Sequence, residues 1–111
     1  MLKKNGEFQF VYRRGKSVHS HALVLFYLPQ EGVRKYGFTA SKKVGNAVVR
    51  NRSKRRLRAI FAEQSPYLKD GTYILVAKEA LASTAFQQLK SDFIKILKRA
   101  GSIQDDQKSF T

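Results

Sequence analysis

The 111-residue chain contains no cysteine and no tryptophan. Without cysteine there is no disulfide framework, no thiolate zinc site and no cysteine nucleophile, and the composition fits a reducing compartment. Acid is scarce as well: eight Asp and Glu stand against 22 Lys and Arg. The only adjacent acids, Asp105 and Asp106, sit near the C-terminus, so no carboxylate cluster of the kind that holds two catalytic metal ions is visible. No apolar run approaches the roughly 18 to 20 residues of a membrane-spanning helix, and Met1 to Phe8 lacks the apolar core of a secretory signal. The expectation is a cytoplasmic protein that meets no membrane.

What is present is positive charge on a foldable chain. A formal net charge of +14 predicts a polyanionic partner, and nucleic acid is favoured over an anionic membrane face. The hydrophobic fraction of 42% argues for a packed globule, and the length suits one domain with one core.

Read along the chain, Asn5 is placed to cap a helix over Glu7 to Arg14 that stops at Gly15, with Phe8, Val11 and Tyr12 on one face and Phe10 off it. Residues Ala22 to Leu28 are apolar on both alternating faces and read as a strand covered on two sides. After a turn at Pro29 to Gly32, Arg34 to Ser41 reads as a second strand, expected to pair antiparallel with its predecessor. A long helix is expected from Asn46 as cap to Gln64, ended by Ser65-Pro66, then a strand over Thr72 to Lys78. The last helix should start at Ser83 or Thr84, bury Phe86, Leu89, Phe93, Ile96, Leu97 and Ala100, and close at Gly101. The domain is therefore drawn as residues 1–101, with 102–111 as a polar tail. The fold class is α+β: a small mixed sheet with packed helices.

The long helix is unusual. Eight of the twenty residues from Lys42 to Phe61 are Lys or Arg and none is acidic. At 100° per residue, Val49, Leu57, Ile60 and Phe61 share one anchoring arc. Asn51, Arg55 and Arg58 lie opposite, with Arg50 and Lys54 on one flank and Arg52 and Arg56 on the other. A solvated helix normally mixes signs, because Glu and Lys four apart contribute about 0.2 to 0.5 kcal/mol per pair, and the first acid here is Glu63. The order also opposes the macrodipole, with cations crowding the N-terminal half. The final helix, with Asp92 ahead of Lys95, Lys98 and Arg99, is ordered for its own stability. Arg50, Lys54 and Arg58 form a rail of cations about 6 Å apart, suited to successive phosphates.

The block Lys42-Lys43-x-Gly45-Asn46-Ala47-Val48-x-Arg50-Asn51-Arg52-x-Lys54-Arg55-x-x-Arg58 resembles the RNR signature of the protein subunit of bacterial ribonuclease P. The likeness continues through Leu2-Lys-Lys-Asn-x-x-Phe8-x-x-Val11-Tyr12, Gly15-x-Ser17 and Ala22 to Leu28, and spans residues 2 to about 99 in order. It implies an αβββαβα sandwich on a four-stranded sheet, with a left-handed crossover through the RNR helix that general chirality rules do not give. It implies a noncatalytic subunit of an endoribonuclease whose RNA and Mg²⁺ ions carry the chemistry, no cofactor bound by the protein alone and no obligate protein partner. The partners implied are the catalytic RNA and the 5′ leader of precursor tRNA. RNA contact is expected from Lys42, Lys43, Asn46, Arg50, Asn51, Arg52, Lys54, Arg55, Arg56 and Arg58, and leader contact from Phe8, Tyr12 and Phe26. On residues alone, Phe8, Val11 and Tyr12 are what any helix uses to seal against a sheet, and core is the favoured reading of these positions.

The same residues leave two rivals: a ribosomal or general RNA-binding protein, for which charge alone suffices, and an autonomous metal-dependent nuclease. His19 and His21 are placed to share one strand face as a ligand pair or nuclease dyad, without a third ligand in view. Gly15-Lys16-Ser17 echoes the end of a phosphate loop, but Phe10 stands where its first glycine is required.

Overall fold

The computed structural model describes residues 5–103. Its elements run α1 (Asn5–Arg14), β1 (Lys16–His19), β2 (Leu23–Pro29), β3 (Arg34–Ala40), α2 (Ala47–Gln64), β4 (Gly71–Ala77) and α3 (Phe86–Ala100), with short 3-10 turns at Lys42–Val44, Ser65–Tyr67 and Glu79–Ser83. This is the expected αβββαβα order around a four-stranded mixed sheet.

The strand order is β1-β2-β4-β3, which corrects the expected β2–β3 hairpin. β4 lies between them, antiparallel to β2 and parallel to β3. The reason is apolar demand: β2 and β4 are buried on both faces and take the two inner places, while β3 begins with exposed Arg34, Lys35 and Tyr36 and takes an edge. The loop after β2 crosses the start of β4, where the Gly71 N–H donates to Val33 O at 2.6 Å. Asp70 pins that crossing by accepting from the Gly32 N–H at 3.0 Å and from Arg34 Nε at 3.1 Å. The remaining Arg34 nitrogens donate to Ser65 O and Leu68 O, joining β3 to the end of α2. Gly71, at φ 151, admits no side chain, since a Cβ there would stand 2.5 Å from Leu28 O.

α2 and α3 cover one face of the sheet over the main core, and α1 packs on β2 and β4 of the other. α3 buries Leu89, Phe93, Ile96 and Leu97 completely, each contributing about 1.5 to 3 kcal/mol. It begins at Phe86, later than the Ser83 or Thr84 expected, because the Thr84 hydroxyl donates to Ala80 O at 2.6 Å and closes the preceding turn. The chain stays packed past Gly101: Ser102 is buried, its N–H donates to Leu97 O and its carbonyl accepts from the Lys69 N–H. Ile103 bridges to Leu68. The rest of the polar tail assigned from sequence, residues 104–111, lies outside the described residues, as do residues 1–4.

Candidate nucleic-acid interface

α2 starts where a tight approach forces it to. Gly45 has φ 149, and a Cβ there would meet the Val49 side chain at 2.9 Å, so the turn from Lys42–Val44 into the helix needs glycine. Asn46 caps α2, its side-chain oxygen accepting from the Val49 N–H at 3.0 Å. That oxygen is committed to the helix. The anchoring face holds Leu57, Ile60 and Phe61 as expected, joined by Ser53, while Val49 is half-buried.

On the other side, Asn51, Arg52, Arg55 and Arg58 are exposed, as are Lys42, Lys43 and Asn46 ahead of the helix. Arg50 and Lys54 are half-buried, and Arg50 Nε is shielded from solvent with no hydrogen-bond partner among the described residues. Arg58 sits over the Phe38 ring, 5.6 Å from its centroid. Arg56 is different. Its guanidinium donates to Leu81 O and, at 2.5 Å, to Thr84 O, so this side chain ties α2 to the turn before α3. Of the RNA contacts expected from sequence, Arg56 is the one whose donors are already engaged by the fold.

Ion pairing leaves this surface uncompensated. Among the described residues the pairs are Arg34–Asp70, Lys35–Glu7 and Lys90–Glu63, and none uses a cation of α2. The acid of α2, Glu63, faces Lys90 of α3 at 3.3 Å, which offsets its unfavourable place near the helix C-terminus.

The second surface lies at α1. Tyr12 meets Phe26 edge-on at 4.7 Å between centroids, and Phe8 meets Tyr12 at 6.3 Å. All three rings are half-buried, packed on a small cluster formed by Val11 and Ile74, so they are neither sealed core nor free surface. Burial pushes the Tyr12 phenol above its ordinary range, and a hydrogen bond with Thr39 opposes that. The contacts join α1 to β2 and β3.

A family model described as Ribonuclease P matches residues 1–101. The chain belongs to the ribonuclease P protein family. The ribonuclease P protein component of Nitratiruptor sp. is 47% identical over 98 residues, covering 88% of this chain and 89% of that protein. The Listeria monocytogenes component is 42% identical over 100 residues, covering 87% and 84%. In structure, the RNase P protein of Staphylococcus aureus superposes with a TM-score of 0.81 at 28% identity, covering 93% of this chain and 96% of that one. The RNase P protein of Thermotoga maritima, at 22% identity and a TM-score of 0.77, shares the fold, covering 88% and 94%. Membership makes the chain a protein component of an endoribonuclease of tRNA processing, with the ribonuclease P RNA as its partner.

Within this ribonuclease P family domain the histidine pair expected from sequence does not form on one strand: His19 ends β1, whereas His21 lies in the bend before β2. No three His, Asp or Glu side chains gather to hold a metal ion among the described residues. No helix among the described residues is long and apolar enough to cross a membrane. Tyr36, absent from the site residues expected from sequence, is 38% exposed at the sheet edge beside α2.

Proposed function

We propose that this chain binds the catalytic RNA of ribonuclease P through the exposed cations of α2 and the preceding turn, and binds the 5′ leader of precursor tRNA at Phe8, Tyr12 and Phe26. The observation that carries the reading is a helix face bearing Arg52, Arg55 and Arg58 exposed, with none of its cations in an ion pair among the described residues. In a free globule that arrangement is self-repelling, and phosphates relieve it by displacing condensed counterions. The half-buried rings suit a leader of variable sequence, because every base offers a π face worth about 1 to 3 kcal/mol against an aromatic side chain. Cleavage that leaves a 5′ phosphate on mature tRNA belongs, in this reading, to the RNA and its Mg²⁺, with the protein holding both RNAs in register.

Mixing the protein with precursor tRNA at low Mg²⁺, with and without the catalytic RNA, tests this. Cleavage in the ternary mixture alone, with the precursor bound more tightly than mature tRNA, is expected. Cleavage by the protein alone would make it an autonomous nuclease, and equal affinity for every RNA would reduce it to a general RNA-binding protein.

A further inference from the structure

A depression of about 370 Å³ opens where the β3 edge meets the C-terminal half of α2. Tyr36, Phe38 and Phe61 line it with aromatic rings and Arg58 with a cation, and Ala62, Ser65 and Pro66 complete the lining. The rings are mutually packed, Tyr36 lying 5.2 Å from Phe61 and 5.8 Å from Phe38. Phe38 and Phe61 are buried and therefore fixed, while Tyr36 keeps an exposed ring, and no acid among the described residues lines the opening. Aromatic faces beside a guanidinium, on the flank of a helix whose cations form no ion pair among the described residues, match one chemistry best: an unstacked base whose neighbouring phosphate is held by charge.

We propose that this pocket takes a single unpaired base of the ribonuclease P RNA, stacked on Tyr36 and covered by Arg58, while the phosphates beside it run along Lys54 and Arg58. The proposal rests on the reading of α2 as the RNA-binding helix and adds a base contact to its phosphate contacts. The site is separate from the α1 rings, because Tyr36 packs toward Phe61 on the α2 face of the sheet and Phe8, Tyr12 and Phe26 lie on the opposite face.

The test is titration of the full chain against ribonuclease P RNA, with base-specific chemical probing of the complex. Tyr36→Leu keeps apolar bulk and removes the ring. It should weaken binding roughly 5- to 150-fold, leave the slope of log affinity against log salt unchanged, and expose one protected base to modification. Tyr36→Phe should retain both affinity and protection. Should Tyr36→Leu fold poorly, Arg58→Lys on the helix surface preserves the charge while losing the planar cover, and the same base should become reactive. Unchanged affinity and protection in Tyr36→Leu, with Arg55→Ala still weakening binding, would overturn the pocket and leave the helix reading standing. Silence of both variants would overturn the two together. A change in sedimentation without a change in RNA affinity would assign the surface to a second copy of the chain and also refute the proposal.

Discussion

Arg55 and Arg56 are neighbours of identical chemistry on one helix, and their substitution by alanine should have opposite consequences. The Arg56 guanidinium donates to the carbonyls of Leu81 and Thr84 and lies 6.0 Å from the Phe86 ring. A hydrogen bond from a charged donor contributes about 1.5 to 3 kcal/mol when desolvated. Arg56 is only half-buried, and water can reach carbonyls in a surface turn once the side chain is gone, so the lower end applies. Losing both bonds should cost about 2 to 3 kcal/mol. For a domain near 100 residues each kcal/mol moves the midpoint by about 4 to 8 °C, so Arg56→Ala should melt roughly 10 to 20 °C below wild type. Arg55 is exposed, and its removal should leave the midpoint within a few degrees. The RNA titration, run cold enough that both variants are folded, should invert the ranking, with Arg55→Ala losing more affinity. Thermal melting by circular dichroism beside that titration decides it. An Arg56→Ala protein that melts like wild type and loses as much RNA affinity as Arg55→Ala would refute the division between a structural and a binding arginine.

Three further expectations concern the other parts of the molecule. Tyr12→Ala or Phe26→Ala should weaken binding of the assembled enzyme to precursor tRNA while sparing mature tRNA. Because both rings are half-buried, the melt should fall by less than the 3 to 5 kcal/mol equivalent of a sealed core ring; equal losses on both substrates with a collapsed melt would make them core. Asp70 has its pKa held below the usual carboxylate range, first by the Gly32 N–H and then by Arg34, so its contribution is present above the unfolded pKa and lost as pH falls through the folded one. The melting difference between wild type and Asp70→Asn should therefore shrink as pH drops from neutral to below about 4, and a constant difference would count against the pinned loop. Millimolar sulfate should raise the melting temperature above that of a chloride control matched in ionic strength, through binding to the native cationic face, and identical melts would argue against preformed anion sites.

Much of this architecture was legible from residue patterns. The apolar stripe of α3 and the anchoring arc of α2 follow from 3.6-residue periodicity, and Gly101 ends α3 as expected. The pairing of β2 with β3 was misread because a short loop suggests a hairpin, although the sequence held the opposing signal: Tyr73 to Val76 is apolar on both faces, and Arg34-Lys35 marks an edge. The role of Arg56 had no local signal. It shares a flank of the helix with Arg52, and the carbonyls it meets lie 25 and 28 residues away. Ser102 escaped for the same reason, since its partners are Leu97 and the distant Lys69. The placement of the α1 rings could be guessed from spacing, but their half-burial depends on how much of the sheet α1 leaves uncovered.

If the α2 cations, which form no ion pair among the described residues, are completed by the phosphates of the ribonuclease P RNA, the salt dependence of binding reports it. Each phosphate contact contributes roughly 0.7 to 0.9 to the slope of log affinity against log salt. Replacing Arg52, Arg55 and Arg58 together with alanine, all exposed on α2, should therefore flatten the slope by about 2 to 3 while the melt stays near wild type. A triple variant that melts normally and keeps the wild-type slope and affinity would mean that these arginines do not meet the RNA phosphates.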